Sequence, residues 1–140
     1  MDVLLIQPGF EDFYSTVIRH QPLGLMSIQA VLQQSGFEVG LFDFLNTRRK
    51  RTVPWPKEFR HLREHYRSDD FSPAALYRDY YRFGRTDEGL REVIEQERPR
   101  LIGLSALYTG YLAEVIRLTR AIRKWTPHTA IVMGGHAVAA

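Results

Sequence analysis

The sequence contains no cysteine. Within these 140 residues that excludes a disulfide, a thiolate-held metal and an iron–sulfur cluster. Long apolar runs are also lacking: none approaches the roughly 20 residues of a membrane-spanning helix. The N-terminus has no basic-then-apolar leader pattern. A cytoplasmic protein without a membrane partner is therefore expected. Basic and acidic residues nearly balance, with a formal net charge of only +3. Five of the 19 lysines and arginines lie close together (Arg48, Arg49, Lys50, Arg51 and Lys57), which leaves the remainder near neutral. A nucleic-acid partner would want basic residues spread over a face, so none is expected. Internal repeats and low-complexity segments are missing too.

Phosphate-binding signatures are equally wanting. No G-x-G-x-x-G follows an apolar run, and no G-x-x-x-x-G-K-[ST] occurs, so dinucleotide and P-loop chemistry are disfavoured. Ser105 lacks the G-x-S-x-G elbow of a nucleophile. It also stands where a response regulator would carry an aspartate. His61-Leu62-Arg63-Glu64-His65 fits the H-x-x-E-H spacing of some zinc peptidases. Those enzymes need a further ligand and a different fold, so an exposed charged helix face is the expectation and no metal ligand is assigned.

What the sequence does hold is clearest from Leu101 to His136. Leu101–Leu104 and Ala130–Met133 are short apolar runs, as strands covered on both faces require. Between them Leu112, Val115, Ile116, Thr119 and Ile122 share one helical face, opposite Glu114, Arg117, Arg120 and Arg123. Arg123 and Lys124 complement the dipole at the helix end, and Pro127 follows it. The pattern is a βαβ unit with parallel strands and a right-handed crossover. Ligand chemistry in such sheets gathers at the carboxyl ends of the strands.

The N-terminal part repeats this grammar. Asp2–Gln7 is an expected strand, broken by Pro8-Gly9. A loop follows to Gln21, bearing Phe10, Phe13, Tyr14, Arg19 and His20. Pro22 opens a helix whose apolar face includes Leu25, Ile28 and Leu32, with Met26, Ala30 and Val31 beside it, and Gly36 closes it. Phe37–Phe44 is the next strand, with Asp43 at its end as either a loop anchor or a ligand contact. The stretch from Leu45 to Arg100 far exceeds the roughly dozen residues a crossover needs. It predicts a helical insertion over about residues 45–86, followed by a crossover helix carrying Leu90, Val93 and Ile94 and capped by Thr86. Within the insertion, one helix begins at Pro56 with Phe59, Leu62 and Tyr66 aligned. A second, capped by Ser72-Pro73, aligns Leu76, Tyr80 and Phe83. Leaving from the carboxyl end of a strand, the insertion should form a lid or docking surface over the ligand side.

The expected fold is therefore α/β: a doubly wound parallel sheet, flavodoxin-like, strand order 2-1-3-4. A fifth strand would complete it, and its absence reads as an N-terminal fragment of a longer protein. An uncovered edge on the fourth strand would favour self-association. At the carboxyl ends lies a rim of small residues, Ser105, Thr109 and Gly110 after the third strand and Gly134 and Gly135 after the fourth. Such a rim lets a bulky ligand lie against the backbone. Leu107 and Tyr108 would form an apolar wall. A tight strand-to-loop turn explains the glycine pair equally well.

Three blocks of sequence resemble the cobalamin-binding domain at the N-terminus of many radical S-adenosylmethionine enzymes. The first is Gln21-Pro22-Leu23-Gly24-Leu25 with Gly36, Val39 and Asp43. The second runs from Ile102 through Gly103, Leu104 and Ser105 to Thr109. The third is Pro127 followed by Ile131-Val132-Met133-Gly134-Gly135-His136. The resemblance implies cobalamin across the strand ends, with its nucleotide tail reaching between the first and third strands. It assigns Ser105 and Thr109 to the tail, Gly134 and Gly135 to the space for it, and Pro8, Gly9, Leu107 and His136 to the surroundings of the cofactor. The D-x-H-x-x-G cobalt-ligand signature is absent, since neither Asp12 nor Asp43 has a histidine two residues on. The resemblance further implies a partner domain downstream in the same chain, carrying S-adenosylmethionine and a [4Fe-4S] cluster, for methyl transfer or radical rearrangement. These residues alone would not be catalytic. A cofactor-free descendant acting as an interaction or lid module is the alternative, and a flavin- or nucleotide-binding module is a third reading.

Overall fold

The computed structural model describes residues 1–13, 21–65 and 78–139. Four strands, β1 (Val3–Gln7), β3 (Val39–Asp43), β6 (Leu101–Ser105) and β7 (Ala130–Gly134), make one parallel sheet in the order β3-β1-β6-β7. This is the expected 2-1-3-4 order, and the register is continuous: Leu5 lies beside Leu41 and Gly103, and Gly103 beside Val132.

Strand alternation sorts the side chains into two layers. Leu4, Ile6, Phe42, Ile102 and Leu104 face α2 (Asp87–Glu97) and α3 (Leu112–Trp125), where Leu90, Ile94, Val115, Leu118 and Ile122 close the larger core. Val3, Leu5, Val39 and Leu41 face α1 (Leu23–Gln34), which contributes Leu25 and Leu32. The buried stripe of α3 is Val115-Leu118-Ile122. Leu118 takes the place expected for Ile116, which is exposed, because a spacing of three then four keeps residues on one face of a 3.6-residue helix. α2 ends on Arg98 in the left-handed region, φ 45°, whose N–H bonds to the Ile94 carbonyl. Thr86 occupies the N-cap position without a side-chain capping bond.

The expectation of two helices in the insertion is corrected. Tyr80–Phe83 is a strand, β5, the centre of a three-stranded antiparallel sheet with β2 (Phe10–Asp12) and β4 (Lys50–Val53). The tetrad Tyr80-Tyr81-Arg82-Phe83 suits either period, and pairing on both sides decides for the strand. Tyr81 and Phe83 then face a cluster with Phe10 and Leu45, while Arg82 points the other way. Lys50 and Arg51, expected in a solvated loop, are exposed in β4. Lys57–His65 is a 3-10 segment rather than an α-helix, with His61 and His65 exposed. The second expected helix start, at Ser72-Pro73, and residues 14–20 lie outside the described residues.

One guanidinium group fastens the small sheet to the crossover helices, and a second clamps those helices to each other. Arg82 reaches Glu11 (3.5 Å), Asp87 (3.1 Å) and Glu114 (2.5 Å). Arg117 binds Asp87 through both carboxylate oxygens (2.6 and 3.0 Å) and Glu114 likewise (2.8 and 2.7 Å). The small sheet thus stands over the carboxyl ends of the large one. Among the described residues no helix is long and apolar enough to cross a membrane.

Candidate functional site

On the α1 side of the sheet, coverage stops short. β7, expected to be buried on both faces, is largely exposed, with Val132 at 53%; it is the sheet edge, and no described element covers it on this side. α1 buries only Leu25 fully; Ile28, expected in the apolar face, is 49% exposed. Between helix and sheet lies a cleft of about 1260 Å³. That exceeds the roughly 300–1,000 Å³ usual for a drug-sized ligand.

The floor of the cleft is a row of outward-facing strand residues: Leu5 of β1, Leu101, Gly103 and Ser105 of β6, Val132 and Gly134 of β7. α1 gives one wall through Leu23, Gly24, Leu25, Ile28 and Leu32. The mouth is built at the strand ends by Pro8, Gly9, Phe10, Asp12, Leu45, Leu107, Tyr108, Gly110 and Tyr111. A smaller concavity of about 380 Å³, lined by Arg117, Arg120 and Lys124, lies on the outer side of α3.

Of the expected site residues, Pro8, Gly9, Ser105, Leu107, Gly134 and Gly135 line this cleft. Thr109 opens a one-turn 3-10 segment, Thr109–Tyr111, and is exposed; its neighbours Tyr108, Gly110 and Tyr111 line the cleft in its place. His136 begins the short helix α4 (His136–Ala139) and is exposed outside the lining.

The glycines differ in what holds them. A Cβ on Gly134 would meet nothing within 4 Å, so the cleft is open above it. Gly135 has φ +123°, and a Cβ there would lie 2.7 Å from the Ala106 carbonyl oxygen. It is required by the turn, as the alternative reading of this pair held. A Cβ on Gly9 would lie 2.6 Å from the Phe83 carbonyl oxygen, where β5 crosses the end of β1.

Sequence reasoning passed over the mid-strand floor (Leu5, Leu101, Gly103 and Val132) and, at the mouth, Asp12, Leu45 and Tyr111. Gly103 is mid-strand, and a lone glycine inside a strand is itself a sign that something approaches the backbone. Asp12 was weighed only as a cobalt-ligand signature. Its carboxylate accepts hydrogen bonds from the Tyr111 hydroxyl (2.6 Å) and the Phe13 amide (2.7 Å). Tyr111 also stacks on Phe10, with centroids 4.7 Å apart. Neighbouring Tyr80 has its hydroxyl pushed up to about 12 by burial, with help from the Glu11 and Asp12 carboxylates.

Asp43 lies at the end of β3 and accepts a hydrogen bond from the Leu45 amide (2.8 Å), as a loop anchor does. Burial raises its carboxyl above the ordinary 3.8, outweighing that amide and the nearby Arg85. The folded state therefore holds the proton more tightly than the unfolded chain. Stability falls as pH rises from 3.8 through the higher folded value, and the penalty persists above it. Asp43→Asn keeps an oxygen for the Leu45 amide and removes the charge. Its stability advantage over the wild type should grow with pH across that window in urea denaturation; an advantage independent of pH would refute the burial argument.

Residues 75–140 match the family described as the B12 binding domain. Over 139 residues the chain is 25% identical to cytidylyl-2-hydroxyethylphosphonate methyltransferase of Streptomyces wedmorensis, covering 95% of this chain. The chain spans 22% of that relative's length. No solved structure matches it significantly. The α/β fold with its four-stranded parallel sheet, the family match and the methyltransferase relative together support a cobalamin-binding role.

Proposed function

We propose that this chain holds cobalamin in the cleft between α1 and the sheet, as the cofactor module of a methyl-transferring enzyme. The observation that carries the reading is the floor. Gly103, Ser105 and Gly134 leave the backbone of two adjacent strands thinly covered on the floor of a large apolar cleft. A flat, bulky ligand with an extended tail fits such a trough, and Ser105 offers its hydroxyl to a ring nitrogen or sugar. Leu5, Leu101, Val132 and Ile28 would contact the apolar faces of the tail, and the aromatic mouth would border the larger ring.

When bound, cobalamin supplies a cobalt centre able to accept and pass on a methyl group. The chain's own part is to bind and orient it and to keep water from its buried side. A domain using S-adenosylmethionine and a [4Fe-4S] cluster, elsewhere in the same polypeptide, is the partner we propose for the chemistry. The methyltransferase relative, of whose length this chain spans 22%, supports a larger parent.

The test is a visible-absorbance titration with hydroxocobalamin, followed by gel filtration. Colour travelling with the protein is expected, and Ser105→Phe should abolish it while the far-ultraviolet circular dichroism stays unchanged. A wild-type protein that elutes colourless at saturating cofactor would refute the reading.

A further inference from the structure

Asp12 is the one carboxylate among the described cleft-lining residues, and no lysine or arginine accompanies it there. It lies outside the family-matched stretch, on β2 of the small sheet. Two hydrogen bonds fix its orientation, one oxygen to the Tyr111 hydroxyl and the other to the Phe13 amide. A carboxylate has about four acceptor positions, so two remain for a ligand. The Phe10–Tyr111 stack holds the hydroxyl that holds the carboxylate.

We infer that Asp12 is a specificity-determining residue at the cleft mouth, accepting hydrogen bonds from a primary amide on the ligand's periphery and rejecting a carboxylate or phosphate there. Tyr111 is its positioning residue. The inference rests on the cobalamin reading, since the corrin ring is bordered by primary amides. An amide N–H donor meets the fixed acceptor, whereas an anion meets a like charge in a cleft with no described cation to offset it. The same arrangement disfavours flavin mononucleotide or nucleoside polyphosphates in this cleft.

The experiment compares hydroxocobalamin with the corrinoids in which one peripheral amide has been hydrolysed to a carboxylate, each in turn. Dissociation constants come from absorbance titration. The wild type should bind at least one monocarboxylate about tenfold to a hundredfold more weakly than the parent, the range for a hydrogen bond to a charged group. Asp12→Asn, which can donate as well as accept, should bring that ratio close to unity. Tyr111→Phe keeps the ring stack and should lower the ratio only partly, with thermal melts confirming that both variants are folded. A merely structural Asp12 would change every affinity alike and leave the ratios fixed. Ratios equal in wild type and Asp12→Asn would overturn the inference while the cobalamin reading stands. Failure of the wild type to bind hydroxocobalamin at all would overturn both.

Discussion

Gly103→Val is expected to lower hydroxocobalamin affinity by about tenfold to a hundredfold while leaving the protein as stable or slightly more so. The first half follows from position. Gly103 lies mid-strand on the cleft floor, between Leu5 and Val132 in register. A side chain there rises into the space the ligand is proposed to fill, and forcing methyl groups into a filled site costs about 1–3 kcal/mol. The second half follows from what a Cβ would touch. Its sole close neighbour is Leu5 Cδ2, at 3.0 Å, the free end of a side chain that itself lines the cleft. Leu5 can turn aside into the open trough. Valine also suits a strand better than glycine, a gain of up to about 1 kcal/mol. Stability and binding should therefore move apart, as they do where a protein leaves space for function. Gly9→Ala is the contrast. There the obstacle is the Phe83 carbonyl at 2.6 Å, which is backbone and cannot rotate away, so stability itself should fall. Absorbance titration and thermal melting on both variants read the two effects. Unimpaired binding by Gly103→Val would place the ligand elsewhere; a joint loss of stability and binding would make Gly103 structural.

The parallel sheet was legible because its signals are local and repeated. Each strand is an apolar run of about five residues, and α2 and α3 show a clear polar face. What misled was the assumption that every apolar residue of such units is covered. Ile28 and Val132 carry the pattern of buried positions and are half exposed, because they border a cleft. A surplus of apolar residues on α1 over what the sheet could bury was the available sign of a ligand face. The rim residues were found from their place after β6 and β7. Thr109 missed the lining by one position, since a 3-10 turn, tighter than an α-helix, carries its neighbours inward.

The insertion was harder for a different reason. Tyr80, Phe83 and Leu76 fit a helical spacing, but alternation along Tyr80-Tyr81-Arg82-Phe83 fits a strand as well. Only pairing with β2 and β4, distant in sequence, separates the two. Phe10–Asp12 could not be recognised as a strand by itself, because three residues carry no period. Asp12 reaches the mouth of the cleft through this long-range pairing, and so it and its hydrogen bond from Tyr111 stayed hidden.

Arg82→Met tests whether the small sheet is held where the cleft needs it. The Arg82 side chain is 12% exposed and its guanidinium touches carboxylates from three elements: Glu11 on β2, Asp87 on α2 and Glu114 on α3. Methionine fills a similar volume but leaves the carboxylates without their shared cation. Removing one partner of a buried pair costs about 3–5 kcal/mol. Arg117 still serves Asp87 and Glu114, so about 2–3 kcal/mol is expected, or about 8 °C in melting temperature. The exposed Arg91–Glu95 pair gives the scale of an isolated surface contact: Arg91→Ala should cost about 0.3–0.5 kcal/mol, and added salt should erase it. Salt should spare most of the Arg82 effect. Glu114→Gln made on top of Arg82→Met should cost less than Glu114→Gln alone, because the carboxylate has already lost one cation. Additive costs would show that Arg82 and Glu114 act independently, contrary to their 2.5 Å contact. Cobalamin affinity should fall with Arg82→Met even under conditions where the protein remains folded. Phe10 and Asp12 reach the cleft mouth on the sheet that this cation anchors, and Tyr111 packs against both, so loosening the anchor exposes the mouth to water before it melts the core.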